Sequence, residues 1–313
     1  MVLKGSKPKA VNNRLKMFIY GQAGIGKTLC SLQFPNAYII DTERGTNNYN
    51  EIINKSNSAV LQTLLPDEIK AELKELLTTK HEYRTLIIDP ITQVYNAVQE
   101  KWTKIFEKHS KTTKESEIQD FGMRYWSKIK SEFKSIQRML LALDMNVIVI
   151  AHQKDVYGTN FSKIGTTFDS MRGDDYFFDL IFQVIKKGDQ RIAITIKERA
   201  SIGANKFPNE FEWSYANFIK FYGKEIIEKE ATPVAMADKE TIDRVVNMVN
   251  MIKMDEAVIV KWMQKADVQD WSEMSKDQID GCEAYLNKKL ASLTPSKATP
   301  ASVKGEIKPK KGK

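Results

Sequence analysis

Gly21-Gln22-Ala23-Gly24-Ile25-Gly26-Lys27-Thr28 is the stretch on which the fold of this chain turns. It follows a short apolar run, Met17-Phe18-Ile19-Tyr20, and leads into the helix-forming Leu29-Cys30-Ser31-Leu32. Strand, glycine-rich loop and helix, in that order, cradle the phosphates of a nucleoside triphosphate. The glycines let consecutive backbone N–H groups turn inward, and the helix start adds partial positive charge. Lys27 can reach the β- and γ-phosphates, and the Thr28 hydroxyl can ligate Mg²⁺. A chance glycine turn rarely carries all eight positions in this context. The expected nucleotide-binding residues are therefore Gly21, Gln22, Ala23, Gly24, Ile25, Gly26, Lys27, Thr28 and Leu29.

Outward from that loop, apolar runs at 17–20, 37–40, 85–88 and 146–151 are short, β-branched and without alternation. Strands buried on both faces read this way. Phe121, Tyr125, Ile129, Phe133, Ile136 and Leu140 recur at helical spacing and predict one core-facing helix. Residues 180–185 and 191–197 predict an antiparallel extension, because Arg191-Ile-Ala-Ile-Thr-Ile-Lys197 interleaves polar residues. The fold class is α/β: a P-loop core with a mainly parallel sheet flanked by helices. That core is expected over 16–223, after a basic segment at 1–15. A charged junction over 224–237, a small helical unit at 238–291 and a Pro/Ser/Lys tail at 292–313 follow. Helices are predicted at 239–253, 255–265 and 275–291, with Trp262 and Trp271 anchoring a small core.

The 313 residues are 42% hydrophobic and carry a net charge of +8, much of it at the ends. Lys4, Lys7, Lys9, Arg14 and Lys16 lie at one end, and Lys297, Lys304, Lys308, Lys310, Lys311 and Lys313 at the other. Basic ends suit DNA or RNA, and equally suit solvated tails. The two cysteines, Cys30 and Cys282, match no metal spacing, and with three histidines no zinc site is expected. No run approaches a membrane span and no signal peptide is visible, so a cytoplasmic protein is expected.

ATP hydrolysis needs a second metal ligand, a base and a cation besides the loop. Leu86-Ile87-Ile88-Asp89 is an apolar strand closing on an acid, and Asp89 there would hold Mg²⁺ through water. Ala37-Tyr38-Ile39-Ile40 exits at Asp41-Thr42-Glu43, at the sheet edge where α/β folds bind ligands. Glu43 can orient or deprotonate the attacking water. Alternatively, Asp41 and Glu43 cap a loop or pair with Arg44. After the strand ending in Ala151, Gln153 is placed to sense the γ-phosphate, and His152 reads as a hydrogen-bonded structural histidine.

This order of motifs resembles the RecA-type recombinase core, and more closely the short phage-encoded RecA-like ATPases of the Sak single-strand annealing group. The shared features are Asp41-Thr42-Glu43-x-Gly45, Asp120-Phe121-Gly122 before a long helix, and Ala151-His152-Gln153; the resemblance covers about residues 14–220. The resemblance implies that Glu43 is the catalytic carboxylate and Gln153 the γ-phosphate sensor. It also implies that Lys197 and Arg199 of Ile196-Lys197-Glu198-Arg199 reach into a neighbouring subunit's ATP site. ATP with Mg²⁺, single-stranded DNA and a homo-oligomer, filament or ring, come with it. Where bacterial RecA has Asn before that Gln, this chain has His152.

Residues 154–172 show little periodicity and mix Lys154, Lys163 and Arg172 with Tyr157, Phe161 and Phe168. Cations for phosphate and rings for bases are the components of single-strand binding. The Lys- and Thr-rich 103–117 is a second loop of this kind. In both, aromatics packed back on the core are the plain alternative. The leading expectation is a DNA-stimulated ATPase for annealing or strand exchange, in the host cytoplasm if phage-encoded. A nucleotide-switched loader whose helical unit recruits a single-strand-binding or other recombination protein, and a RecA-fold helicase motor, are the alternatives.

Overall fold

The computed structural model describes residues 14–110, 115–199, 204–233, 235–266, 268 and 270–293, with 110, 115–124 and 293 as helical backbone alone. The chain divides into two compact units, between Ala235 and Met236.

In the first unit β1 (Lys16–Gly21), β2 (Ala37–Asp41), β3 (Ala59–Gln62), β4 (Thr85–Asp89), β5 (Asn146–Tyr157) and β7 (Leu180–Lys187) are parallel. β6 (Lys163–Asp169) pairs antiparallel with the far half of β5, and β8 (Gln190–Glu198) and β9 (Glu210–Glu212) extend the sheet antiparallel beyond β7. The order is β3-β2-β4-β5-β1-β7-β8-β9. Alternate residues of each inner strand enter opposite cores, which is why these strands read as continuous apolar runs.

One core takes Met17, Ile19, Ile39, Ile87, Ile148 and Phe182, against α1 (Lys27–Ser31), Ile53 of α2 (Asn50–Lys55) and a group of rings, Phe207, Phe211, Trp213 and Phe218. The other takes Phe18, Ile40, Ile88 and Val149 against three helices: α3 (Pro66–Thr78), α4 (Ile91–Ser110) and α5 (Glu115–Ala142). Ile129, Phe133, Ile136 and Leu140 form the buried stripe of α5, as their spacing predicts. The side chain of Phe121 lies outside the described residues.

The structure corrects several expectations. Residues 180–185 run parallel to β1; beyond them β8 and β9 extend the sheet antiparallel. The segment 154–172 is largely a β-hairpin of β5 and β6, missed because its outer face is polar and its strands hold Lys154, Asp155, Thr166 and Thr167. The segment 103–117 is helical as far as Ser110, and Lys104 pairs with Glu100 one turn back at 2.6 Å. Lys111 and Lys114 lie outside the described residues, as do Lys4, Lys7 and Lys9. Arg14 and Lys16 are buried and therefore belong to the core. Arg14 meets Asp144 at 2.7 Å, and the Lys16 ammonium donates to the carbonyls of Leu140, Leu143 and Met145. The junction also starts later than its charge implies. α6 (Tyr215–Tyr222) leads into α7 (Lys224–Ile227), whose Ile227 is fully buried and whose carbonyl accepts from Asn146 at 2.7 Å.

The second unit contains α8 (Lys239–Ile252), α9 (Glu256–Ala266) and α10 (Lys276–Leu293), within a residue or two of the predicted spans. Asp238 caps α8, accepting from Thr241 N at 2.8 Å. Val245, Val249, Met274, Ile279 and Leu286 make its core, and Trp262 and Trp271 cover it from the side. The tail from 294 lies outside the described residues.

Candidate functional site

Gly21 ends β1 between His152 of β5 and Val184 of β7. From there the loop turns with Gly24 at φ +73° and Gly26 at φ +86°, left-handed conformations that favour glycine. A side chain at Gly21 would also strike the Val184 carbonyl, 2.3 Å from its Cβ position. The loop is thus a hollow lined by backbone. Lys27 folds back over it and donates to Gly21 O at 2.8 Å and Gln22 O at 2.7 Å. Burial lowers the pKa of its ammonium from the ordinary lysine value, against the opposing pull of Asp89 and Glu43.

Thr28 donates its hydroxyl to Asp89 Oδ2 at 2.5 Å, across from α1 to the end of β4. Burial pushes the Asp89 carboxyl up to about 6, and the nearby Asp41 and Glu43 add to the rise. A hydroxyl beside a crowded, partly dehydrated carboxylate is a hard-oxygen pair with charge to neutralise. It fits a small divalent cation that keeps most of its water, as Mg²⁺ does. The described residues therefore fit a nucleoside triphosphate with Mg²⁺: backbone N–H groups and Lys27 for phosphate, Thr28 and Asp89 for the metal. Among the described residues no cluster of three or more His, Cys, Asp or Glu side chains could hold a metal ion by themselves.

The two acids after β2 divide their work. Asp41 is buried and accepts from the backbone of Glu43, Gly45 and Thr46 and from the Thr46 hydroxyl, so it builds the turn. Glu43, free of that duty, points out. Its Oε1 accepts from Gln93 Nε2 at 2.7 Å, and its Oε2 lies 3.2 Å from His152 Nε2. Sequence alone gave no sign of the Gln93 and His152 contacts, because the partners come from α4 and β5, with β4 between β2 and β5. Gln153 faces elsewhere: its Oε1 accepts from Gln183 Nε2 at 3.0 Å, and the same Gln183 donates to Thr166 of β6 at 2.9 Å.

On the β5–β6 hairpin the predicted DNA-contacting residues separate into two groups. Tyr157 and Phe161 are exposed, Phe161 by 90%, and Ile164 beside them is exposed too. Phe168 is half-buried and packs edge-on against Phe18, with ring centres 5.0 Å apart, so its role is in the core. Lys154 pairs with Asp169 at 3.1 Å and Lys163 with Asp155 at 2.7 Å, while Arg172 is exposed. Lys197 and Arg199 lie at the far end of β8 from the P-loop. Lys197 donates to Asp175 O at 2.5 Å, and Arg199 pairs with Asp179 at 3.1 Å. The structure does not bring them to the loop of their own chain. No helix among the described residues is long and apolar enough to cross a membrane.

A family model described as an AAA domain (AAA_24) matches residues 13–206, more than half of the chain. Comparison with curated proteins gives no match. Among solved structures the chain is similar to a structure of the RadB recombinase, at 16% identity over 59% of this chain and 81% of that one, with a TM-score of 0.34.

Proposed function

The chain belongs to that family of AAA domains, and on this premise we propose that it is a Mg²⁺-dependent ATPase that works on single-stranded DNA. The observation that carries the proposal is the convergence of Lys27, the 2.5 Å Thr28–Asp89 pair and the outward-pointing Glu43 at one carboxyl edge of the sheet. When bound, ATP with Mg²⁺ supplies the phosphoanhydride and the charge neutralisation that phosphoryl transfer needs. Lys27 exchanges its two carbonyl partners for phosphate oxygens. Glu43, held by Gln93 on Oε1 and by His152 at 3.2 Å from both oxygens, takes the proton of the attacking water.

Nucleotide state reaches the hairpin through two links. Gln153 is joined by Gln183 to Thr166 of β6. Thr92 accepts from His152 N at 3.0 Å and donates to Asp169 O at 2.6 Å. Tyr157 and Phe161 at the hairpin offer rings for base stacking, and Arg172 offers a cation for phosphate. Lys197 and Arg199, at the other end of their strand, act in a neighbouring subunit of a homo-oligomer. The resemblance to the Sak annealing group supports a phage recombination role, annealing or strand exchange, in the host cytoplasm. The helical unit, with a core of its own, is the part that recruits a further recombination protein.

The test is steady-state ATP hydrolysis with and without single-stranded DNA, with Lys27→Ala as the blank. Strong stimulation by single strands and little by duplex is expected. Hydrolysis indifferent to DNA would favour a nucleotide-switched loader, and turnover surviving in Lys27→Ala would remove the site altogether.

A further inference from the structure

A cation of the same chain lies against the P-loop from the β7–β8 hairpin. Val184 is in register with Gly21 on one side and with Ala193 on the other, and two pairs further out, past Ile185 with Ile192, Lys186 faces Arg191. Arg191 thus stands past the carboxyl end of β1, two residues beyond Ala193. Side chains alternate along a strand, so Arg191 shares the face of Ala193, the face that packs against Ile25 and Cys30 of the loop and α1. Its side chain lies over Gly26: a Cβ built there would be 2.9 Å from both Cδ and Nε of Arg191.

The guanidinium is also free to act. Lys187, the last residue before the turn, is neutralised by Glu210 at 2.5 Å, whereas Arg191 is exposed and makes no ion pair among the described residues. A planar guanidinium with five donors matches phosphate oxygens in pairs. With no acid paired to it among the described residues, and beside a loop shaped for phosphates, it has one class of partner at hand. Lys197 and Arg199 occupy the opposite end of the same strand, about 20 Å away at 3.3 Å per residue, so the two ends of β8 are chemically separate.

We propose that Arg191 acts in cis as a clamp on the nucleotide, its guanidinium donating to phosphate oxygens held in the P-loop. This rests on the nucleotide-binding function proposed above and adds a contributor that no part of the eight-residue motif supplies. It also makes the β7–β8 hairpin part of the nucleotide site.

The experiment is titration of a fluorescent ADP analogue into the full chain, without DNA, for the wild type, Arg191→Gln, Arg191→Lys and Lys27→Ala. Thermal unfolding of each variant checks that it is folded. Gln keeps most of the packing over Gly26 and removes the charge, so Arg191→Gln should weaken ADP about tenfold, the size of one charge-assisted hydrogen bond. It should also make the affinity less dependent on salt. Arg191→Lys should recover part of the loss. Wild-type affinity and salt dependence in Arg191→Gln would overturn the clamp while leaving the P-loop in place. A wild type that binds no ADP, or Lys27→Ala binding as well as wild type, would instead overturn the nucleotide site and the clamp with it.

Discussion

Glu43 and His152 meet over an intervening strand: carboxylate Oε2 and imidazole Nε2 are 3.2 Å apart, although β4 runs between β2 and β5. The contact holds the carboxylate from one side while Gln93 holds it from the other at 2.7 Å. A base fixed this way loses little freedom on reaching the water it deprotonates. In the proposed reaction His152 is accordingly a positioning residue.

His152→Ala should lower kcat about tenfold, a typical cost of loosening a catalytic group, and leave the affinity for ATP unchanged. His152→Asn, which keeps a polar side chain at the position, should restore much of the loss. Rapid-quench kinetics and nucleotide titration give the two numbers separately. Undiminished kcat in the alanine variant would remove the positioning role.

Thr28 and Asp89 should act as a pair on the metal. ATP affinity of the wild type is expected to fall about tenfold or more when Mg²⁺ is chelated, since the cation then no longer bridges protein and phosphate. In Asp89→Asn the same chelation should change affinity far less, because the charged ligand is already gone. Equal sensitivity of the two proteins to chelator, read by titration calorimetry, would place the metal elsewhere.

The hairpin rings should separate into binding and folding residues. Tyr157→Ala with Phe161→Ala removes two exposed rings, and should weaken single-stranded DNA by about 1–3 kcal/mol per ring with stability little changed. Phe168→Ala removes a ring packed on Phe18 and Tyr20 and should cost about 2–4 kcal/mol of stability. Denaturant unfolding and fluorescence anisotropy on the same proteins check both. DNA affinity untouched by the double variant would return the hairpin tip to ordinary surface.

Much of this was legible in the chain because local chemistry dictates it. The P-loop needs glycine at φ +86° and a lysine next to it, and both are contiguous in sequence. The inner strands are apolar on both faces, so Phe18 and Ile19 enter different cores from adjacent positions. What was not legible depends on partners distant in sequence. Whether Asp41 or Glu43 builds the turn is decided by Thr46 and by Gln93 and His152. β6 alternates polar and glycine residues against solvent and lacks an apolar signature. Ile227 sits in a charged run, Lys224-Glu225-Ile226-Ile227-Glu228-Lys229, that hides a core contact. Arg14 and Lys16 read as part of a basic tail because nothing in sequence announces the carbonyls and the Asp144 that bury them.

Asp174 gives the fold a pH dependence. It is buried, accepting from Gln137 Nε2 at 2.6 Å and from the Ser170 hydroxyl, and burial lifts its carboxyl to about 6. The folded chain therefore binds this proton more tightly than the unfolded chain, whose aspartate titrates at about 4. Its contribution to stability is full below about pH 4 and is lost as pH rises through 6. Asp174→Asn stays neutral, so the wild type should lose about 1–3 kcal/mol relative to that variant between pH 4.5 and 7.5. Urea unfolding at the two pH values measures it, and a gap that stays constant would contradict the assignment.

Glu43 is proposed as the base of an ATP site formed by Lys27, Thr28 and Asp89. Single-turnover hydrolysis of radiolabelled ATP by Glu43→Gln, beside a binding titration of the same protein, tests it most directly. ATP should bind with wild-type affinity and remain uncleaved, the rate falling at least about a hundredfold, the lower range for loss of a general base. Hydrolysis at the wild-type rate in Glu43→Gln would rule Glu43 out as the base.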